Sequence, residues 1–543
     1  MKHFFFTIIT LIFAVSFGYA QPALSGDYYI PQGAHPQGFA TVGDAVTSLN
    51  ANGASGTVNF ILDADTLREN SFTFNASLSV TNNVVIKPAP ARDVYLIVAA
   101  GASMGNGIQM IGFDKGYVTF DGSNNGSTSR NLIVTTETDA VAVPFGLNTA
   151  NADTVVLKNL IIKNLDNVAT NFRYGAVIND KGGVWGFRVE NCQIGTAARP
   201  VRRDGLAPWG ASAAPTYNQF SIVNNEIYCG TRGIATLYLT ECEIIGNTIN
   251  ILPTTAGATD TYNHGIYITG AVGNTTIHSN FINCLEKTLN ATAYLIGIAF
   301  AGNASDSTDI ISVANNMINV GAADETRYVY GIGLRSAGNM GNFKIYNNTI
   351  LINNNVSTFA SHGIGNHTNG TGPVKIDLKD NIIINNHAGN VGSSAIGIIP
   401  ATSVLTSDYN LLLANQNLVN YQGTLYANLA AWQATLQDVN SVSKSVSFVS
   451  AADLHLAGAS NGDFDLAGIP LDGITIDIDG DTRSLTFPYM GADEASNEIP
   501  VELTAFSAST NNGTIVLKWS TTTETNNQGF EVQRKSTGEY ETL

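Results

Sequence analysis

The sequence predicts an all-β protein, with a right-handed parallel β-helix solenoid followed by a partial β-sandwich. Three observations lead to this fold class. A glycine followed by a small or branched apolar residue recurs along the chain. An asparagine, usually in the pattern N-x-I, recurs with a similar spacing but out of phase with the glycine. The residues between these marks form short β-type runs broken by Asn and Gly, without the 3.6-residue periodicity of helices.

The spacing of the two marks favours a β-helix over other repeat folds. The glycine mark occurs at Gly146, Gly175, Gly233, Gly265, Gly297, Gly331, Gly363 and Gly397. The asparagine mark occurs at Asn159, Asn191, Asn225, Asn247, Asn280, Asn316, Asn348 and Asn381. From Gly233 onward the glycines recur with a nearly constant period, which is shorter than the about 40–45 residues of a propeller blade. This short unit predicts coils that stack at about 4.8 Å.

The position of the asparagine mark within each repeat predicts which side chains stack inside the solenoid. Each marked asparagine is expected to adopt left-handed backbone angles at a turn and to hydrogen-bond to its equivalent one coil away. Isoleucines two residues later are expected to stack inside the solenoid, at Ile227, Ile249, Ile282, Ile318, Ile350 and Ile383. Cys229 and Cys284 share one phase, but a whole coil lies between them. We therefore predict core thiols without a Cys229–Cys284 disulfide, because two coils span about 9.6 Å.

The N-terminus predicts export. Residues 1–20 combine Lys2, an apolar run from Phe4 to Phe17 and small residues at the cleavage positions, which is the pattern of a secretory signal peptide. The run is shorter than the roughly 20 residues of a membrane-spanning helix, so we expect no transmembrane segment in the mature chain; an uncleaved anchor is the alternative. The predicted domains are this signal, the solenoid at 21–495 and the partial sandwich at 496–543.

Charge excludes one class of partner. The 543 residues carry 43 acidic and 26 basic side chains, a net charge of −17, and only 13% are charged. No net positive field exists to collect phosphates, so we expect neither a nucleic acid nor an anionic membrane as partner.

The first hundred residues resemble the start of pectin-lyase-like β-helices. Phe39 to Leu49 has amphipathic helical spacing and is expected to cap the open end of the solenoid. A strand from Thr57 to Leu62 and the turn TLREN follow, where the family has a Y-x-E-N-type turn. Pectin methylesterases begin similarly, but their Q-D-T and D-F-I-F-G segments are missing, so their chemistry does not carry over.

Later segments resemble exported Bacteroidetes right-handed β-helix proteins, which extends the resemblance over about residues 27–495. The matching segments are LAAWQATLQDVNS, DLHL, DIDGDTR and MGADE. Beyond them, IPVELTAFSAS and IVLKWSTTTETNNQGFEVQRKS resemble the fibronectin-type-III-like module of type IX secretion cargo, here truncated. This resemblance implies a secreted or outer cell-surface location, with secretion machinery as a partner through a C-terminal sorting tail that this sequence lacks.

One coil, residues 181–232, concentrates basic and aromatic side chains. Its candidate binding residues are Trp185, Arg188, Arg202, Arg203, Trp209 and Tyr217. Indole rings stack on sugars and guanidinium groups grip carboxylates or sulfates, so the sequence predicts polysaccharide contact through solenoid loops. A solvated loop whose arginines pair with neighbouring acids is the structural alternative.

Two functional classes stay open for this coil. The first is a non-catalytic glycan-contacting protein. We prefer it because the sequence shows no complete set of catalytic residues from any β-helix enzyme family. The second is a polysaccharide lyase or glycoside hydrolase acting on uronic-acid-containing glycans. A lyase could use Arg202, Arg203, Lys181 and Tyr217, and a hydrolase could draw two carboxylates from Glu226, Glu241 and Glu243.

Histidines and aspartates give weaker candidates. His264 and His362 precede repeat glycines, and we interpret them as strand-start residues instead of catalysts. No cofactor is assigned with certainty, but Asp477, Asp479 and Asp481 alternate around a glycine in DIDGDTR and could hold Ca²⁺. A turn stabilised by Asx hydrogen bonds is the alternative.

Overall fold

The protein is described from a computed structural model. The described residues are 21–99, 101, 103–104, 107–137, 142–165, 174–178, 184–208, 219–252, 262–285, 294–304, 308–321, 328–334, 341–353, 357–366, 373–495, 503–511, 514–521, 530–535, 538 and 540–542. The predicted signal at 1–20 lies outside them.

The chain forms a parallel β-solenoid with three faces, and this confirms the predicted architecture. In a typical coil, residues 264–268 lie on the first face and residues 275–278 on the second. A tight turn at Ser279 and Asn280 then leads to the strand Phe281–Cys284 on the third face. Strands on every face pair in parallel with the coils before and after.

We name the faces by their most informative feature. The glycine face contains Phe72–Phe74, Gly107–Phe113, Ala142–Leu147, Tyr174–Ile178, Asp204–Ala207, the first parts of Arg232–Ile245 and Tyr262–His278, Tyr294–Phe300, Tyr328–Leu334, His362–Asn366, Ser394–Ile398 and Asn417–Tyr421. The groove face contains Leu24–Ile30, Ala54–Leu62, Val84–Pro88, Val118–Asp121, Val156–Lys158, Arg188–Glu190, Phe220–Val223, the last parts of Arg232–Ile245 and Tyr262–His278, Ile310–Ala314, Asn342–Tyr346, Lys375–Lys379 and Val404–Asp408. The covered face contains Thr66–Glu69, Val94–Val98, Leu132–Thr135, Leu160–Ile162, Gln193–Ile194, Glu226–Cys229, Thr248–Ile251, Phe281–Cys284, Met317–Val320, Thr349–Ile352, Ile382–Asn385 and Leu411–Ala414.

Short elements complete the described chain. The strands Ser103–Met104 and Thr424–Tyr426 pair antiparallel with the glycine face, and Asn303–Ala304 pairs with it in parallel. The helices are α1 (Val42–Asn52) and α2 (Leu429–Gln433), with 3₁₀ turns at Gly458–Ser460 and Phe464–Leu466. Antiparallel pairs join Phe448–Ser450 to Asp453–Leu456, Leu503–Asn511 to Thr514–Thr521 and Gln533–Arg534 to Glu541–Thr542. The last two pairs fit the predicted partial sandwich.

The predicted isoleucine column exists. Ile282 pairs with Ile318, which pairs with Ile350, and all three side chains are fully buried. The column extends in both directions, through Ile249 and Ile383. Each coil therefore contributes a branched aliphatic side chain to one continuous core, since a single coil cannot bury its own apolar face.

The asparagine ladder is also confirmed from Asn225 onward. The side-chain amide of Asn280 donates to Oδ1 of Asn316 at 2.9 Å, and Asn316 donates to Asn348 at 2.9 Å. Each Oδ1 also accepts the backbone N–H of the preceding ladder residue, as Asn316 Oδ1 does from Asn280 at 3.0 Å. The ladder is fully buried, so these bonds replace the water that the amides and turn backbone have lost.

The expectation of left-handed backbone angles is wrong for the ladder asparagines from Asn225 onward. The left-handed residue is not the ladder asparagine but the residue before it, such as Ser279 (φ 54°) or Asn347 (φ 50°). Asn159 and Asn191 belong to that preceding column and meet both expectations, because their φ values are 59° and 49° and the Asn191 amide donates to Asn159 Oδ1 at 2.8 Å. In the coil of Asn191 the ladder position is occupied by Cys192, whose backbone N–H donates to Asn225 Oδ1 at 2.8 Å. Asparagine suits both positions chemically, so its spacing in the sequence could not separate them.

The glycine mark identifies a close-packed column. A Cβ at Gly233 would lie 2.2 Å from Cγ2 of Ile249, so no larger residue fits there without displacement. The structure adds Gly205 to this column, which the spacing missed, because the neighbours of Gly205 pair with those of Gly175 and Gly233. Gly146 and Gly397 lie at other positions: Gly146 pairs with Ile178, and Gly397 pairs with Gly365.

The cysteines are core thiols. Cys192, Cys229, Cys242 and Cys284 are all buried and free, which confirms the absence of a Cys229–Cys284 disulfide. Ile251 lies between Cys229 and Cys284 in their column. Burial raises the pKa of the Cys192 thiol to about 12, so it is protonated and unreactive at neutral pH.

Both ends of the core are closed by motifs that the sequence analysis quoted. Helix α1 begins three residues later than expected and packs its apolar side on the first strands. Glu69 of TLREN accepts the backbone N–H groups of Val42 and Gly43, at 2.9 and 3.1 Å, and so caps this helix. At the other end, buried Trp432 donates to Asp438 at 2.6 Å, and Asp438 accepts from the last ladder asparagine, Asn410.

Residues 446–495, here called the strap, run back along the covered face. Beneath the strap most outward side chains of that face are apolar, and buried strap residues lie on them as one cluster: Met317, Leu351, Ile382, Ile384 and Leu411 below, and Leu454, Leu456, Leu466, Tyr489 and Met490 above. Arg483 anchors the strap, because its guanidinium donates to Asn315 Oδ1 at 2.9 Å and to the Gly491 carbonyl at 2.8 Å.

Candidate functional site

The groove face is the open polar surface of the described solenoid. In Glu241-Cys242-Glu243 the two glutamates are exposed and the cysteine between them is buried, because side chains alternate along a strand. Their neighbours in adjacent coils continue the outward column: Val156, Arg188, Ser221, Glu243, Thr276 and Ser312 are paired in register. Side chains that are distant in sequence therefore become neighbours about 4.8 Å apart.

These columns line a groove of about 760 Å³. Its lining includes the indole of Trp185, Arg188, both glutamates and several hydroxyl and amide groups. The Trp185 side chain is 46% exposed, which is unusual for so large an apolar group. Its backbone is fixed, since its N–H donates to Asp153 Oδ1 at 2.8 Å and its carbonyl accepts from Thr154 at 2.7 Å. The indole therefore lies on an ordered rim and is open to a ligand.

Arg188, the cation that lines the groove, is held by a weak ion pair. Arg188 Nε lies 3.4 Å from Glu190 Oε2, and these side chains are 51% and 38% exposed. An exposed pair of this kind contributes little to stability and breaks easily when a ligand offers a better partner. Glu243 lies two coils from Arg188, about 9.6 Å along the stack. The groove thus presents one cation and two carboxylates that an anionic or hydroxyl-rich ligand could contact.

The structure divides the predicted Arg/Trp site between faces. Trp185 and Arg188 line the groove, whereas Arg202 and Arg203 precede the strand Asp204–Ala207 on the glycine face. Arg203 lies 3.8 Å from the buried carboxylate of Asp204. Trp209, Tyr217 and Lys181 lie outside the described residues.

A buried ion pair dominates that arginine region. Arg232 donates to both oxygens of Asp204, at 2.8 and 2.7 Å, and its guanidinium stacks on the Tyr267 ring at 5.5 Å. The pair is almost fully buried, with 10% and 0% of the side chains exposed. The pairing with Asp204 agrees with the structural alternative, but the ion pair is buried and does not lie on a solvated loop.

The carboxylates suggested for hydrolysis also separate. Glu226 lies on the covered face, where it pairs with Arg130 at 3.2 Å and accepts from the Tyr228 hydroxyl at 2.6 Å. This hydrogen bond raises the pKa of Tyr228 to about 12. Glu241 and Glu243 alone share the groove.

His264 and His362 are buried on the glycine face, at one position of the strand. His362 Nδ1 lies 2.8 Å from Ser394 Oγ, and burial lowers the pKa of His362 to about 4. A neutral, enclosed imidazole agrees with our interpretation of these residues as structural.

The aspartates of DIDGDTR have unequal surroundings. Asp477 is buried, and its two oxygens accept the backbone N–H groups of Asp479, Asp481 and Glu494 at 2.8 to 2.9 Å. This is the Asx-type turn that was the alternative to Ca²⁺. Asp479 instead approaches His455, a residue that the sequence analysis quoted only within DLHL.

Sequence reasoning missed most of the groove floor. Asn274, Thr276 and Ser312 carry no recognisable motif, and only their alternation with buried residues could have placed them outside. Among the described residues, no helix is both long and apolar enough to cross a bilayer. Comparison of the chain with protein-family models gives no match, and a search of curated protein sequences gives none either.

Proposed function

We propose that the protein is a secreted or outer cell-surface β-solenoid that binds polysaccharide, without catalysis, along its groove face. The observation that carries this proposal is the exposed Trp185 indole at a groove lined by hydroxyl, amide and charged side chains. Sugar rings present an apolar C–H face and a polar edge, which match an aromatic surface next to hydrogen-bonding groups.

The polymer favoured by this lining is a glycan with acidic substituents. Among the described residues, the ion-pair partner of Arg188 is the exposed Glu190, so the Arg188 guanidinium is available to a uronate carboxylate or a sulfate. The glutamates further along the groove disfavour a densely charged anionic polymer by like-charge repulsion. A mostly neutral polysaccharide with few acidic groups fits both the available Arg188 and the repulsion by the glutamates.

Export and surface attachment belong to the same proposal. The signal-like residues 1–20 and the resemblance of the C-terminal module to type IX secretion cargo support it. The resemblance to pectin-lyase-like and Bacteroidetes β-helix proteins supports a glycan as the ligand class. Detection of the chain on intact cells by an antibody, with loss of the signal after surface proteolysis, tests this location.

Binding is tested with the full chain on affinity gels containing pectin, alginate or a neutral glucan. The Trp185→Ala variant is expected to weaken retention by about tenfold, because stacking contributes about 1 kcal/mol beyond area burial. Trp519→Ala is the matched control, since Trp519 is also exposed (38%) but belongs to the C-terminal hairpin. Equal retention of the wild type and Trp185→Ala contradicts the proposal.

Glycoside hydrolysis is the second candidate, and one observation favours it. Glu241 and Glu243 are two residues apart on one strand, which separates their backbone positions by about 6.6 Å. Carboxylate pairs of glycosidases lie about 5 to 10 Å apart. Release of reducing ends by the wild type, abolished in Glu243→Gln, would replace the binding proposal with this one; unsaturated products absorbing in the ultraviolet would indicate a lyase.

A further inference from the structure

The strap brings one histidine and two aspartates together from three separate segments. His455 lies in the strand Asp453–Leu456, Asp479 in the turn of DIDGDTR, and Asp493 in MGADE. One nitrogen or oxygen from each lies within 4.8 Å of the other two. His455 Nε2 is 2.9 Å from Asp479 Oδ2, so this ring nitrogen faces the carboxylate.

From this geometry we infer a Zn²⁺ site formed by His455 Nε2 and carboxylate oxygens of Asp479 and Asp493. Three protein ligands with one imidazole nitrogen and two carboxylates suit Zn²⁺, which then completes its tetrahedron with water. Ca²⁺ prefers six to eight oxygen ligands, so an imidazole in the set favours the transition metal.

The groups behind the ligands have the arrangement of a zinc second shell. Asp453 Oδ1 contacts His455 Nδ1, and this leaves Nε2 as the ligating nitrogen. The backbone N–H of Leu456 donates to Asp493 Oδ2 at 2.7 Å and so fixes that carboxylate. The Phe281 ring stacks on the imidazole at 6.0 Å, which anchors the histidine to the solenoid.

Asp477 holds the ligand-bearing segments together without being a ligand. Its Oδ1 accepts the backbone N–H of Asp479, and its Oδ2 accepts that of Glu494, next to Asp493. Zinc ligands in a tetrahedral site lie about 3.3 Å apart. His455 Nε2 and Asp479 Oδ2 already lie 2.9 Å apart, and the Asp479 side chain is 54% exposed and free to adjust.

A metal here would have a clear structural purpose. The strap has short strands and turns and covers the solenoid with a small second core. A Zn²⁺ ion joining three of its segments would supply binding free energy to a region with little regular backbone hydrogen bonding. This inference is independent of the proposed glycan groove, which lies on another face.

The inference is tested by calorimetric titration of ZnCl₂ into the full, untagged chain after removal of metals with a chelator. One saturable site per chain and a raised Tm are expected. Asp479→Asn is expected to raise the Kd for Zn²⁺ at least tenfold. The fold should be kept, because this exposed side chain can become an amide without repacking. His455→Gln is the second variant and is expected to abolish the site.

His35→Gln provides a matched control. His35 Nε2 also lies 2.9 Å from a carboxylate, that of Asp63, but Arg92 already pairs with this aspartate at 2.8 Å. Its zinc binding is expected to equal that of the wild type. The inference is overturned if the wild type shows no saturable site, if Asp479→Asn binds Zn²⁺ as tightly, or if Ca²⁺ binds the wild type more tightly than Zn²⁺.

Discussion

The groove face and the covered face are built from the same coils, yet they differ in what lies on them. On the covered face, strand Ile382–Asn385 starts with three isoleucines: Ile383 points into the solenoid, and Ile382 and Ile384 point out. On the groove face, the outward neighbours of buried Cys242 are glutamates. Continuous apolar runs indicate a strand covered on both sides, whereas alternation indicates one open side.

The comparison shows that covering one face fixes the location of the accessible site. The strap buries the outward apolar residues of the covered face and leaves the polar groove uncovered. Residues beneath the strap should therefore govern stability, and groove residues should govern ligand binding. Three substitutions test this division.

The largest expected effect is at the strap anchor. Arg483 is 3% exposed and bonds to Asn315, Gly491 and Glu494. Arg483→Ala leaves these acceptors buried without their donor, so we expect a loss of about 4 kcal/mol in the free energy of unfolding. Urea unfolding measures the loss, and Arg188→Ala, on the groove face, should change stability by less than about 0.5 kcal/mol. Equal losses of stability in the two variants would contradict the claim that residues beneath the strap, and not those of the groove, govern stability.

A smaller effect is expected from a cavity under the strap. Ile382→Ala removes a fully buried side chain and should cost about 3 kcal/mol. Ile310→Ala removes the same atoms from a residue that is 42% exposed in the groove, and should cost about 1 kcal/mol or less. Thermal and urea unfolding of both variants give the comparison directly. A cost for Ile310→Ala as large as that for Ile382→Ala would contradict it.

The last expected effect depends on pH. Burial under the strap raises the pKa of Asp380 to about 8, whereas an unfolded aspartate titrates near 3.9. The folded chain thus keeps a proton that the unfolded chain loses, so the stabilisation from Asp380 is complete below about pH 4 and disappears as the pH rises through 8.

Asp380→Asn keeps this side chain neutral at every pH. Its free energy of unfolding relative to the wild type should therefore rise between pH 4 and pH 8, by about 1.4 kcal/mol per pH unit. Urea unfolding at several pH values measures this difference, and the other titrating groups are common to both chains. A difference that is constant with pH would show that Asp380 is ionised in the folded state.

Much of the interior could be predicted from the sequence, because its residue types recur at equivalent positions of successive coils. The isoleucine column and most of the asparagine ladder followed from spacing alone, since equivalent residues of successive coils must stack. The exchange between Asn191 and Cys192 at the ladder position did not follow, because asparagine suits both the left-handed turn and the ladder. The N-terminal helix was predicted as a cap, but the capping role of Glu69 and the closing role of Asp438 at the other end required the fold.

The candidate site was predictable only in part. Arg188 and Arg202 belong to the same coil, yet the chain turns between faces from one to the other and separates them. Arg188 and Glu243 belong to different coils and share a groove. Proximity in sequence is therefore a poor guide to proximity in a solenoid.

By itself, the sequence determined the coil length, the apolar columns and the presence of asparagine at the turns, because these properties repeat and depend on local geometry. The tertiary structure alone decided which polar side chains share a surface and which face the strap covers. The physical reason is that every coil visits all three faces before the chain returns to the first. Stacking then joins residues from different coils, and the cluster of His455, Asp479 and Asp493 forms only when the strap itself folds.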